Sequence, residues 1–306
     1  MHPLLRDRQR RRSSASLNDL LGTALRPDAE FIFKSNLILI NMSQELKKPH
    51  ETWIASFDIG KKNFAFYIEA TDSTMLSDLR CHIRDVLPEH RYASDGSPSS
   101  QMQSVIDGVA KCGRTIAHVN VDITVDAKTR DHRDALPKRG RRPAAAPTTT
   151  PPKTYLDPEI YINMVEHLDK FKNLLDLCDF VVIEAQMKSN TMALKLGQHC
   201  YSYFCIKYGR AKTIVEFPAY YKTVTLGARK LEAGTYKNGR KKWKTMDKPA
   251  RKKWAVEMAT NILSIRGEID TISNIKSKSK KDDLADTVCQ LSAFKIHKFV
   301  FESTNP

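Results

Sequence analysis

Four carboxylates stand out by where they fall. Asp58 sits near the end of an apolar run, Trp53-Ile-Ala-Ser-Phe-Asp-Ile-Gly60, and Glu184 near the end of another, Asp179-Phe-Val-Val-Ile-Glu-Ala185. Asp283 and Asp286 lie three apart in Lys280-Lys-Asp-Asp-Leu-Ala-Asp286, so a helix presents them on one face. An acid in a strand that is apolar on both alternations is costly to bury without a partner. Four converging acids repel one another unless cations neutralise them, and hard oxygen ligands favour magnesium or manganese. Two such ions per site can activate a water and stabilise the leaving oxygen of a phosphodiester. Plainer readings exist for each acid: Asp58 as a turn cap before Gly60, the Asp pair as first-turn residues suited to the helix dipole. The combination of two strand acids and a helix pair favours chemistry. Asp282, rotated about 100° from Asp283 on a helix, is either an N-cap or an assistant to the metal site.

The elements that must position these acids follow from hydrophobic period. Residues 52–70 predict two strands around a turn opened by Lys61 and Lys62, with Asn63-Phe-Ala-Phe-Tyr-Ile-Glu-Ala70 as the second strand. Residues 114–125 alternate again and complete an antiparallel meander. Residues 71–113 between them are mixed in character, with a short helix over 77–86 and a loop at 95–100. Asp157-Pro158 starts a helix, as N-cap and first helical residue, and Ile160, Met164, Leu168, Phe171 and Leu175 give it an apolar face. A strand to Ala185, a helix over 191–208, a strand over 212–218 and a final helix from Lys280 follow. This order predicts an α/β domain with a five-stranded mixed sheet, three antiparallel strands and then two parallel ones, flanked by helices.

Of the 306 residues, 50 are Lys or Arg and 35 Asp or Glu, a net charge of +15 that points to a polyanionic partner. Residues 220–281 hold 17 Lys and Arg against 5 Asp and Glu, interleaved with Tyr220, Tyr221, Tyr236, Trp243 and Trp254. Cations there can neutralise phosphates and aromatics stack on bases; Trp254, sharing a helical stripe with Met258 and Ile262, is expected in the core. The six cysteines form no CxxC pair and no zinc spacing, which suits reduced thiols in an intracellular compartment. No apolar run reaches the ~20 residues that span a bilayer, so no membrane partner is expected. Residues 1–51 read as a basic extension, a targeting or DNA-binding arm, with 1–41 dispensable for the fold and 31–42 a short element of its own. Residues 126–153 read as a basic, Pro/Ala/Thr-rich linker and 299–306 as a tail around a 52–298 domain.

The motifs together carry a resemblance. Phe57-Asp-Ile-Gly60 with Asn63, Val182-Ile-Glu-Ala-Gln186, Tyr221-Lys-Thr-Val-Thr-Leu-Gly227 and Lys280-Lys-Asp-Asp-Leu-Ala-Asp286 resemble, in order, the motif series of the RuvC-type Holliday junction resolvases. The nearest likeness is to the poxvirus and large-DNA-virus branch, which is similar to the fungal mitochondrial resolvases. The resemblance spans about 53–70 and 155–298. It implies an RNase H-like fold and a homodimeric, magnesium-dependent endonuclease (with manganese able to substitute) that nicks two strands of a four-way DNA junction. By motif, Asp58, Glu184, Asp283 and Asp286 take the family's catalytic and metal-binding places, and Gln186 is a candidate support. It also implies a viral protein acting in the cytoplasm or nucleus of an infected cell, with a mitochondrial location as the alternative.

Lys61 in the turn is a candidate nucleic-acid contact, Lys222 a candidate backbone-phosphate contact with a solvated lysine as the alternative, and Lys281 a residue that steadies the scissile phosphate or balances the acids, with a surface lysine as the alternative. His118 and His199 are taken as packed or surface histidines rather than general bases. Two rivals remain: another RNase H-like nuclease of RNase H or transposase type, and a junction-binding protein that does not cut. The presence of all four acids argues against the second.

Overall fold

The computed structural model describes residues 47–124, 156–278 and 280–302. Readings that fall on residues 1–46, 126–153 and 303–306 lie outside the described residues. Five strands form one mixed sheet, β1 (Glu51–Asp58), β2 (Phe64–Asp72), β3 (Gly113–Val121), β4 (Phe180–Ala185) and β5 (Thr213–Pro218), in the order β3-β2-β1-β4-β5. β1–β2 and β2–β3 are antiparallel, whereas β1–β4 and β4–β5 are parallel. The fold is therefore α/β with the expected five-stranded mixed sheet. β1 is the middle strand, and Trp53, Ile54, Ala55 and Phe57 are fully buried because both of its faces are covered.

On one face the ring of Phe57 packs 5.2 Å from Phe204 of α5 (Thr191–Tyr208), and Phe66 packs 5.0 Å from Phe171, which ends α3 (Pro158–Lys170) and precedes α4 (Lys172–Leu177). Asp157 caps α3 as expected, its carboxylate accepting from the Glu159 amide at 3.1 Å. The opposite face is covered by α9 (Lys281–Lys295), which lies across β1 and β2. Almost every residue of α9 from Leu284 on is buried, because α7 (Lys248–Ile265) and α2 (Ser100–Lys111) cover its outer side. A helix enclosed all round has no polar stripe for the sequence to reveal. Gln290 of α9 donates to the carbonyls of Phe57 (3.2 Å) and Val182 (3.3 Å), tying the helix to the paired ends of β1 and β4.

The structure departs from the sequence-based reading at four places. Within 71–113 the expected helix over 77–86 starts earlier: β2 runs on to Asp72, α1 spans Ser73–Ile83, and after the 95–100 loop a further helix, α2, buries Met102, Val105, Ile106 and Val109. β3 stops at Val121, where Asp122 accepts from the Thr124 amide at 2.8 Å and turns the chain. Residues 299–302 are not a free tail, since a π-helical turn, Ile296–Phe301, buries Val300 and packs Phe299 and Phe301 on the core. Finally, α6 (Tyr220–Thr225) is followed by an unforeseen separate hairpin, β6 (Leu231–Thr235) and β7 (Lys241–Lys244), ahead of α7 and α8 (Ile269–Ser277). Trp254 packs against the core as expected, and all six cysteines are free thiols. Among the described residues no helix is long and apolar enough to cross a membrane.

Candidate functional site

The parallel pairing of β1 with β4 sets Phe57 opposite Ile183, so the next residues, Asp58 and Glu184, stand side by side at the carboxyl ends of the two strands. Open α/β sheets place ligands at those ends. Gly60 lets the chain turn away at once; a Cβ there would stand 2.9 Å from the Asn63 carbonyl oxygen. The Asn63 amide oxygen, with the amide turned to satisfy its neighbours, accepts from Lys280 Nζ at 2.8 Å and holds this turn to the start of α9. The first turns of α9 thus bring Asp286 to the two strand acids, while Asp283 interacts with Asp286 and Asp282 on the helix itself.

Lys222 of α6 stands among these acids, its ammonium 3.4 Å from Glu184 Oε2 and 3.2 Å from Asp286 Oδ1. The residue is only 6% exposed, which corrects the expectation of a surface phosphate contact. The neutralising cation is buried inside the cluster instead. Burial disfavours its charged form, but Glu184, Asp286 and Asp58 outweigh that, and its pKa is raised. The acids remain under-compensated. Burial, then the charge of Glu184, pushes the Asp58 carboxyl well above the usual range, with Lys222 only partly offsetting them. Burial likewise raises Asp286 against the pull of Lys222. Asp283 is raised to about 6 by burial and by Asp282.

One oxygen of Asp283, Oδ2, is buried with no hydrogen-bond partner among the described residues. Asp282 does not cap the helix; it is ion-paired with Lys252 of α7. Among the described residues no three His, Cys, Asp or Glu side chains stand in ready-made metal geometry, and the Lys222 ammonium lies between Glu184 and Asp286. The donor chemistry nevertheless fits a hard divalent cation: several carboxylates, raised proton affinities and an orphaned buried oxygen.

The other candidates are not brought to this cluster. Lys61 Nζ lies 3.9 Å from Met192 Sδ, and exposed Lys281 borders a groove with Lys252 and Lys253. Gln186 donates to the backbone carbonyl of Glu184 at 3.3 Å. His199 packs edge-on to Tyr161 and His118 edge-on to Tyr67, with burial lowering the His118 pKa to about 4.

A second buried charge cluster lies toward the other end of α9. Glu69 of β2 accepts from Arg266 Nη1 (2.9 Å), Lys295 Nζ (2.5 Å), Thr71 Oγ1 (2.9 Å) and Tyr67 OH (3.2 Å). Burial alone would raise its pKa, but Arg266 and Lys295 hold it down at about 2. Sequence reasoning missed this cluster because Arg266 and Lys295 lie 197 and 226 positions from Glu69.

No known family model matches the chain, and no solved structure matches it. Two relatives do. Over 251 residues it is 31% identical to uncharacterized protein 170L of Invertebrate iridescent virus 6, covering 80% of this chain and 89% of that protein. Over 241 residues it is 30% identical to uncharacterized protein 97L of Invertebrate iridescent virus 3, covering 79% and 98%. Both relatives are viral, in keeping with the expected origin, and neither name states an activity. The chain belongs to the family of these iridescent-virus proteins.

Proposed function

We propose that the chain is a metal-dependent endonuclease that resolves four-way DNA junctions, built on an RNase H-like sheet and acting as a homodimer. The observation that carries this reading is the convergence of Asp58, Glu184 and Asp286, with Asp283 alongside, where two parallel strands end beneath a buried helix. The sheet order, the site at the carboxyl edge and the +15 charge support it, as does the motif series set out above.

Magnesium or manganese ions held by Asp58, Glu184, Asp283 and Asp286 would supply an activated water and stabilise the departing 3′ oxygen. Lys222 keeps the strand and helix acids together by offsetting their repulsion, so the carboxylates are gathered before substrate arrives. Gln290 fixes the helix over the strands, and Asn63 with Lys280 fixes the turn beside it. Two copies of the site, one per protomer, are needed for paired nicks in opposed strands.

The test is incubation of the purified chain with four-way, three-way and linear duplex DNA, with and without magnesium. The expected result is magnesium-dependent cleavage of the four-way junction, lost in Asp58→Asn while junction binding persists. Undiminished cleavage by that variant would overturn the site, and preferred cleavage of an RNA–DNA hybrid would overturn the substrate.

A further inference from the structure

The β6–β7 hairpin belongs to no layer of the fold. Among the described residues its strands pair only with each other, with Leu231 opposite Lys244 and Glu232 opposite Trp243. Every residue from Arg229 to Thr245 is exposed except half-buried Trp243. A hairpin of two strands is marginal by itself and normally needs an apolar face to pack. This one has none; it is held by its turn and its root. At the turn the Tyr236 amide donates to the Arg240 carbonyl (2.7 Å), and Gly239 takes a φ of +81°. At the root the Lys230 amide donates to the Asp95 carbonyl (2.6 Å), while Tyr92 OH donates to the Thr225 carbonyl (2.7 Å).

The two faces of the ribbon differ. Lys241, Trp243 and Glu232 share one, where Lys241 and Glu232 form an ion pair at 2.9 Å. Lys242, Lys244, Leu231 and Tyr236 share the other, with Lys242 Nζ 4.7 Å from the centre of the Tyr236 ring and no acid among them. Residues 229–244 as a whole carry seven Lys and Arg against one Glu. Such a ribbon gains nothing from burial, and its cations repel one another until a polyanion neutralises them. A two-stranded ribbon also fits the major groove of duplex DNA, about 12 Å wide.

We infer that the β6–β7 hairpin is a grip for a duplex DNA arm, laying its Lys242/Lys244/Tyr236 face against the phosphates and groove. The choice of DNA as the polyanion rests on the proposed nuclease reading; the exposed, one-signed ribbon does not.

The test reads binding, not cleavage. Full-length chain is titrated in EDTA against a short fluorescent duplex and a four-way junction, from about 50 to 200 mM salt. Arg240, Lys242 and Lys244 are changed together to Gln. A control changes the exposed cations Arg84, Lys111 and Lys170 to Gln. In the hairpin variant the Kd should rise about tenfold or more near physiological salt. The slope of log K against log salt should become shallower by about 2–3, since each phosphate contact contributes about 0.9. The control should stay within about twofold of wild type. Replacing residues 231–244 by a short Gly-Ser link should reproduce the loss without lowering the thermal midpoint. Wild-type binding by the hairpin variant, an equal loss in the control, or competition by polyglutamate as effective as by DNA would overturn the inference. Because the readout is metal-free, a chain that grips DNA through the hairpin but never cuts rejects the nuclease and keeps the grip. Cleavage with hairpin-independent binding does the reverse.

Discussion

The single helix α9 carries two buried charge clusters, about 13 Å apart along its axis at ~1.5 Å per residue from Asp286 to Lys295. At the Lys295 end one carboxylate, Glu69, meets two cations and two hydroxyl donors, and its pKa falls to about 2. At the Asp286 end three acids share one ammonium, a fourth has an orphaned oxygen, and proton affinities rise. Both clusters lie against the same face of the same sheet, so burial alone does not explain the difference. Compensation does: a carboxylate matched by fixed cations is a finished structural element. An excess of acids keeps a standing preference for protons or metal, a preference suited to a catalytic site.

The comparison breaks most readily at Glu69. Glu69→Ala leaves Arg266 and Lys295 buried without their counter-charge, and removing one partner of such a group costs about 3–5 kcal/mol of stability. Asp58→Asn removes a repelling charge and should leave stability unchanged or higher. Denaturant unfolding of both variants in EDTA measures this. Equal losses would mean that the two clusters are structural in the same sense.

Added magnesium sharpens the contrast next. A ligand that binds only the folded state stabilises it by about 2.7 kcal/mol at a hundred times its Kd. The thermal midpoint of wild type should therefore climb with magnesium, and that of Asp286→Asn far less. A Glu69→Gln variant, though less stable at the start, should show the wild-type increment.

The pH dependences should run in opposite directions. Glu69, lowered from 4.5 to about 2, contributes stability in full above about pH 4.5 and loses it as pH falls through about 2. Asp283, raised from 3.8 to about 6, binds more protons folded than unfolded between those values. The share of stability that Asp283 contributes to the metal-free chain should therefore decline as pH rises from about 4 to about 6, opposite in sign to buried His118 and His167, and the wild-type minus Asp283→Asn difference isolates it. A wild-type minus Asp283→Asn difference that is flat over this window would refute the assigned environment.

The two clusters also differ in how far they could be read ahead. The elements that bear the acids follow from local signals: the apolar runs of β1 and β4, and the acidic opening of a final helix. Asp58 and Glu184 were legible because each interrupts an apolar strand. The sequence marks Lys222 as a phosphate contact and not as a member of the acid cluster, because nothing within α6 reveals that its ammonium reaches back to β4 and forward to α9. Glu69, Arg266 and Lys295 were silent for the same reason: each matches a partner that only the tertiary fold supplies. The stripe Met102, Val105, Ile106 and Val109 behind Ser99 was a readable helix, masked by the loop-like 95–100 run before it. The β6–β7 hairpin gave no alternation because neither of its faces is buried.

The smallest effect belongs to the pair at the rim between the cluster and solvent. Asp282 and Lys252 form an ion pair in which the lysine side chain is 44% exposed. Partly exposed pairs of this kind contribute about 0–1 kcal/mol. Asp282→Ala should thus shift unfolding by less than about 1 kcal/mol. It removes the second-ranked cause of the raised Asp283 pKa, after burial, so that pKa should fall back toward its ordinary value. The pH decline assigned to Asp283 should accordingly narrow at its upper end, near pH 6, with little change in stability near pH 4. If Asp282→Ala instead abolished magnesium-dependent stabilisation, Asp282 would belong among the metal-binding acids. The excess of negative charge at this end of α9 would then extend to its first turn.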